Sequence, residues 1–277
     1  MARPHPRQAP SAGGRRAWPW VLAGALVGAA LALLVQAPAG WLAGWLARAT
    51  DQRLLLTEAR GTWWAGSAVV VLGGGEGSRE ARALPGRLHW SLGLAPDGWR
   101  ALQLTLRQPC CIDDALRLRL EPGFGRLRLS LPPGRQAVGR WPAGWLVGLG
   151  APFNTLRLGG TASLWADGLS IETVQGRWRL DGRAEMELHG LNSALSAVDP
   201  LGSYRLMVSG GDGPDGARLS LDTLQGPLRL SGQGQWAGPR LRFRGQAQAD
   251  PGSEAMLNNL LNLLGQRQGA LALLAIG

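Results

Sequence analysis

Over most of its length this chain places an apolar residue at every second position, and that pattern confines it to half-buried β-strands. "LQLTLRQ" sets Leu102, Leu104 and Leu106 on one side, "LRLRLEPG" does so with Leu116, Leu118 and Leu120, and "RLRLSLPPG" with Leu127, Leu129 and Leu131. "EPGFG" supplies a proline and glycines for a reversal, and "PPG" stops the strand that follows it. "GRAEMELHG" sets Ala184, Met186 and Leu188 against Arg183, Glu185 and Glu187, and the pattern continues in "YRLMVSG", "ARLSLDTLQG" and "LRLSGQGQW". One apolar and one polar face with short connections predict a mainly β, antiparallel body. Leucine is a modest strand former, so the prediction rests on periodicity rather than on propensity.

Few segments have helical spacing. "DPGSEAMLNNLLNLLG" offers Asp250 and Ser253 as caps, Leu257, Leu260, Leu261 and Leu264 as one apolar face, and Gly265 as a stop. It predicts one short amphipathic helix near the C-terminus, after which "GALALLAIG" forms an apolar strand or tail. "WPAGWLVGLG" suits a single buried turn of helix.

Before the strands, "MARPHPRQAPSAGGRR" carries Arg3, Arg7, Arg15 and Arg16, and "WPWVLAGALVGAALALLVQAPAG" follows with no charge. About twenty apolar residues suffice to cross a hydrocarbon core as a helix. The arginines ahead of this stretch favour a cytoplasmic N-terminus and a periplasmic body, single-pass at the cell inner membrane, against which Arg48 and Arg53 weigh. Trp18 and Trp20 would mark the inner membrane border and Trp41 and Trp45 the outer one. Ala37-Pro38-Ala39 is also a small-residue cleavage pattern, so a removed signal peptide is the alternative to a retained anchor. The expected organisation is a basic cytoplasmic tail over 1–17, an anchor with an interfacial segment over 18–47, and β lobes over 48–140 and 141–277.

The division into two similar lobes comes from internal echoes. "LSIETVQGRWRLDG" begins at Leu169 and "LSLDTLQGPLRLSG" 50 positions later at Leu219. "PAGWLAG" from Pro38 is echoed by "PAGWLVG" from Pro142, and a glycine-threonine-tryptophan element follows each in the same order. The first copy of that element contains Gly61, Thr62, Trp64 and Gly66, and the second Gly160, Thr161, Trp165 and Gly168. Ordered echoes favour a duplicated β unit.

Charge and chemistry exclude more than they specify. The formal charge of +10 comes from arginine alone, because the chain contains no lysine. Those arginines are spread along strands, which reads as a solvated face and not as a nucleic-acid patch. Aromatic residues are few, yet 13 are tryptophans, a bias suited to membrane borders and sheet packing rather than to base stacking. Only His5, His89 and His189 are available as imidazoles, no glycine-x-serine-x-glycine elbow is present, and "GGGEGSRE" lacks the lysine of a phosphate loop. Adjacent Asp113 and Asp114 would face apart. These features predict neither catalysis nor a cofactor. Cys110 and Cys111 are neighbours, with three readings: a vicinal disulfide, an intermolecular bridge, or two small apolar residues at a strand end.

The membrane stretch, "PAGWLAGWLA", "GTWWAGSA", "PAGWLVGLGAPFNTLRLGGT" and "LLNLLGQRQGALALL", in that order, resemble the protein N family of the bacterial type II secretion pathway. The second tryptophan element departs by two extra residues before Trp165, and the adjacent cysteines have no place in the family pattern. The resemblance implies a non-enzymatic inner-membrane component of the machine that exports folded proteins. Its partners would be inner-membrane platform proteins, the outer-membrane secretin and the lipid bilayer. The alternative is a lipid-carrying trough similar to the AsmA-type proteins. That reading needs apolar side chains left uncovered on one sheet face.

Overall fold

The computed structural model describes residues 18–78, 80–150, 153–174, 177–210, 216–237 and 240–276. The basic tail expected over 1–17 lies outside them. Helices α1 (Trp18–Gln36) and α2 (Ala39–Ala49) are followed by strands β1 (Leu54–Gly61), β2 (Ala65–Gly73), β3 (Ala81–Ala83), β4 (Leu88–Ala95), β5 (Gly98–Gln108), β6 (Ile112–Gly123), β7 (Arg126–Ser130) and β8 (Arg135–Pro142). A 3-10 helix (Ala143–Leu149) and α3 (Phe153–Leu156) lead into β9 (Leu158–Val174), β10 (Arg177–Ser193), β11 (Gly202–Ser209), β12 (Arg218–Gln225), β13 (Leu228–Ala237) and β14 (Arg240–Ala249). Helix α4 (Glu254–Leu264), β15 (Gln266–Gln268) and β16 (Leu271–Ile276) complete the order.

All 16 strands join one antiparallel sheet, in the order β1-β2-β4-β5-β6-β7-β9-β10-β11-β12-β13-β14-β16-β15, with β3 beside β2 and β8 beside β9. The lobe boundary expected near residue 140 falls inside β8, which pairs along β9 from Arg135↔Asp167 to Pro142↔Thr161. Hydrogen bonding therefore runs through that point, and the described strands form one continuous sheet across the expected boundary. β7 pairs with the later part of the same strand β9, so β7 and β8 act as one long strand interrupted by Leu131-Pro132-Pro133-Gly134. Proline has no backbone N–H to donate, which explains the break; Leu131 N keeps the ladder with a 2.9 Å bond to Leu169 O.

The register turns the sequence alternation into two faces. Leu94, Leu102, Leu120, Leu129, Ile171 and Leu180 are successive cross-strand partners from β4 to β10 and form one apolar row. On the opposite face Gln103, Arg119, Ser130, Ser170 and Asp181 are aligned in the same way. The echo starting at Leu169 and Leu219 is a hairpin in both copies, β9–β10 and β12–β13. Ser170 faces Asp181 in the first, whereas Ser220 faces Gln233 in the second, a slip of two positions. Because side chains alternate with period two, that slip leaves every residue on its own face.

The predicted amphipathic helix is α4. Leu257, Leu260 and Leu261 are fully buried and pack with Leu156, Leu201, Leu228, Ala247, Ala249 and Ala272, covering the apolar side of β14 and β16. Beside this cluster Tyr204 is buried and donates a 2.9 Å hydrogen bond to Leu228 O, and burial pushes its hydroxyl pKa up. Tightness between β13 and β14 comes from Phe243, whose ring lies where a Cβ on Gly232 would stand, 2.3 Å away.

α1 has 19 residues, which at about 1.5 Å each is close to 28 Å, just under the hydrocarbon thickness of about 30 Å. Among the described residues no helix is long and apolar enough to cross a membrane. Trp18, Trp20, Val21, Leu26, Leu31 and Leu33 are all exposed on it.

Candidate functional site

Three features stand out from the scaffold: the junction of α1 and α2 with the sheet, the cysteine turn, and a charged face on β8–β14.

The junction is built by the first glycine-threonine-tryptophan element. Gly61 faces Gly66 across the β1–β2 hairpin, and the turn is held by Thr62 N to Ala65 O (2.8 Å) and Ala65 N to Thr62 Oγ1 (3.1 Å). Gly61 has φ +88, and a Cβ there would lie 2.5 Å from Ala65 O, so glycine is required on both counts. The turn directs Trp63 and Trp64 towards the incoming helix. Trp64 Nε1 donates to Val35 O (2.8 Å), Trp63 N donates to Ala37 O (3.1 Å), and Pro38 bridges to Thr62. Trp90 Nε1 donates to Trp63 O (3.0 Å), and its ring packs with buried Ala39 and Ala68. α1 thus passes into the sheet without a free linker. Trp41 and Trp45, four apart on α2, remain exposed, while Leu42 packs against the Trp90 cluster.

The second copy repeats part of this geometry. Pro142 pairs with Thr161 as Pro38 does with Thr62, and each proline sits extended before a short helix whose first alanine is buried, Ala39 in one case and Ala143 in the other. Gly61 and Gly160 both have positive φ. Beyond the threonine the copies part: Gly66 closes a hairpin, whereas Trp165 and Gly168 lie within the long strand β9. In place of a helix contact like that of Trp64, the Arg135 guanidinium stacks 5.1 Å above the Trp165 ring among the described residues.

Cys110 and Cys111 form a vicinal disulfide in the β5–β6 turn. Cys111 is buried against Val70 and Leu84, and its carbonyl accepts from Arg140 N at 2.7 Å, tying β8 to this turn. Neighbouring Gln108 is buried with no partner for Nε2.

The charged face begins beside Trp165. Arg205 bonds Glu185 (2.8 Å) and Glu187 (2.9 Å), Arg135 reaches Glu185 (3.4 Å), and His189 Nε2 lies 3.2 Å from Glu187. Hydrogen bonding from Arg205 holds the Glu187 carboxyl below its usual pKa. Further along, β11–β14 line an open trough of about 1470 Å3. Its floor follows the register Ser209–Arg218–Gln235–Arg242, Met207–Ser220–Gln233–Arg244 and Asp222–Ser231–Gln246. Sequence reasoning found the strands but not this trough, because arginines remote in sequence meet only through the register. Among the described residues no group of three or more His, Cys, Asp or Glu is placed to hold a metal ion.

Comparison with curated proteins and with solved structures gave no match. The family model described as type II secretion system, protein N, matches residues 52–273, from the turn after α2 to β16. That span contains the junction hairpin, the cysteine turn, the charged trough and α4, and on this match the chain belongs to the type II secretion system protein N family.

Proposed function

We propose that this protein is a non-enzymatic assembly component of the type II secretion machinery, attached to the inner membrane through its apolar N-terminal segment, with its sheet in the periplasm. The observation that carries the reading is the junction: an exposed apolar helix leads directly into a sheet matched by the secretion family, and two tryptophans lock the connection. α1 comes close to membrane thickness, and exposed Trp41 and Trp45 on α2 suit the interface beside it. The repeated proline–threonine pair supports an origin of the sheet in two related units meeting near residue 140. Platform proteins and the secretin are the expected partners.

A lipid-carrying role is the second reading, and one observation favours it. Exposed Leu94 begins the apolar row of the sheet, exposed Leu127 and Trp178 stand two residues away from it on the same face, and the leucines and isoleucine of the row after Leu94 are only half-buried. Mild cross-linking in native membranes, followed by purification through a C-terminal tag and mass spectrometry of peptides and lipids, separates the two. Recovery of platform proteins or secretin is expected. Stoichiometric phospholipid without them would replace the assembly reading by the lipid one.

A further inference from the structure

The trough on β11–β14 gathers three arginines on one patch of the polar face. Elsewhere on that face several arginines are matched by carboxylates, Arg205 by Glu185 and Glu187, Arg126 by Glu172 and Arg179 by Asp181, while Arg107 and Arg117 stand exposed on β5 and β6 with no ion pair among the described residues. Arg218, Arg242 and Arg244 line the trough, are exposed, and have no ion-pair partner among the described residues. Among the described lining residues the carboxylate is Asp222, which stands opposite Arg205 in the register and is attracted to it.

Geometry makes these cations a set. Arg242 and Arg244 are two positions apart on β14, about 7 Å along one strand. Arg218 and Arg242 flank Gln235 from the strands on either side, about 10 Å apart at the backbone. Ser220, Ser231, Gln233 and Gln246 lie around them in a two-dimensional grid of amides and hydroxyls. At about 1470 Å3 the trough exceeds the roughly 300–1,000 Å3 of small-molecule sites. One side continues to β16, where Ala275 faces Arg244 and β15 pairs only with Leu271, Ala272 and Leu273, so the sheet edge beyond them lies beside the cations.

From this we infer that the trough docks an extended, carboxylate-rich polypeptide segment of a partner protein. Guanidinium groups pair with carboxylates in a bidentate fashion, and a grid of amides and hydroxyls satisfies a partner backbone. A lipid fits less well: Met207, Leu219 and Trp236 offer an acyl chain some apolar surface, but the serines, glutamines and arginines beside them would lose water without gaining hydrogen bonds. The inference rests on the secretion reading only for the whereabouts of the partner.

The test uses the full-length protein in detergent micelles and a short fluorescein-labelled oligoglutamate, read by anisotropy. An R218Q/R242Q/R244Q variant removes the trough cations. An R60Q/R107Q/R117Q variant removes the same charge from exposed positions on β1, β5 and β6. Circular dichroism and unfolding midpoint establish that both variants fold. The expected result is at least tenfold weaker binding for the trough variant, near-unchanged binding for the control, and loss of binding as salt rises. Equal weakening in both variants would reduce the effect to net charge and overturn the inference, as would no weakening in either. Stronger capture by phosphatidylglycerol vesicles than by oligoglutamate, lost in the same trough variant, would overturn it in favour of a lipid headgroup. The assay contains no secretion protein, so a negative result leaves the secretion reading intact, and failed recovery of secretion partners from membranes leaves the trough result intact.

Discussion

Replacing Leu257 by alanine should be among the most damaging single changes in the β-sheet body. Leu257 is fully buried on α4, between Leu260 and Leu261 and the apolar side of β14 and β16. The change removes three carbon groups, about 2.4 kcal/mol at roughly 0.8 kcal/mol each. A residual void of about 50 Å3 would add about 1 kcal/mol, for a total of about 3–4 kcal/mol. Neighbouring Leu263 is exposed on the same helix, so Leu263→Ala should cost no more than about 0.5 kcal/mol. Urea unfolding of the full chain in detergent, followed by tryptophan fluorescence, gives both values if the slope with denaturant is unchanged. A loss below about 1 kcal/mol for Leu257→Ala, or equal losses for the two leucines, would refute the placement of α4 as the cover of this part of the sheet.

The junction, the turn and the charged face give three more expectations. Trp64→Phe keeps the ring but removes the hydrogen bond to Val35 O; about 1 kcal/mol of local stability should go, read as faster proteolysis between residues 37 and 50. Gly61→Ala meets both a positive φ and the Ala65 carbonyl, so its unfolding midpoint should fall well below that of Gly134→Ala, which meets the positive φ alone. Glu187 has a depressed folded pKa, so its contribution is complete above its ordinary value of 4.5 and is lost as pH falls through the folded value. Glu187→Gln should therefore cost most near neutrality and flatten the acid side of a stability–pH curve.

Much of the β architecture was legible because it depends on local alternation. Leu102, Leu104 and Leu106 share a face in any strand, and the structure pairs them with Leu120, Leu118 and Leu116. α4 was legible because a helical leucine stripe and Gly265 agree in one short window, although Ser253 at its start makes no side-chain cap bond and Asp250 pairs with Arg229 instead. The vicinal disulfide was one of three readings that two adjacent cysteines allow, and the structure forms it. The echoes were legible as repeated hairpins, and the structure joins both copies into one hydrogen-bonded sheet, so the sheet itself draws no line between two lobes. The trough was not legible at all. Arg218 meets Gln235 and Arg242 only after three strands have taken their register, and no spacing in the sequence encodes that.

The locked junction also has a mechanical consequence. The sheet path has 14 strands, so at about 4.8 Å per step its far edge lies about 60 Å along the sheet from β1. With Trp63 and Trp64 bonded to the helix backbone, a small tilt of α1 is carried into β1 instead of being absorbed by slack chain. The point where α1 is fixed to the sheet, at Pro38–Thr62, and the arginine-lined trough thus sit towards opposite ends of the same hydrogen-bonded path.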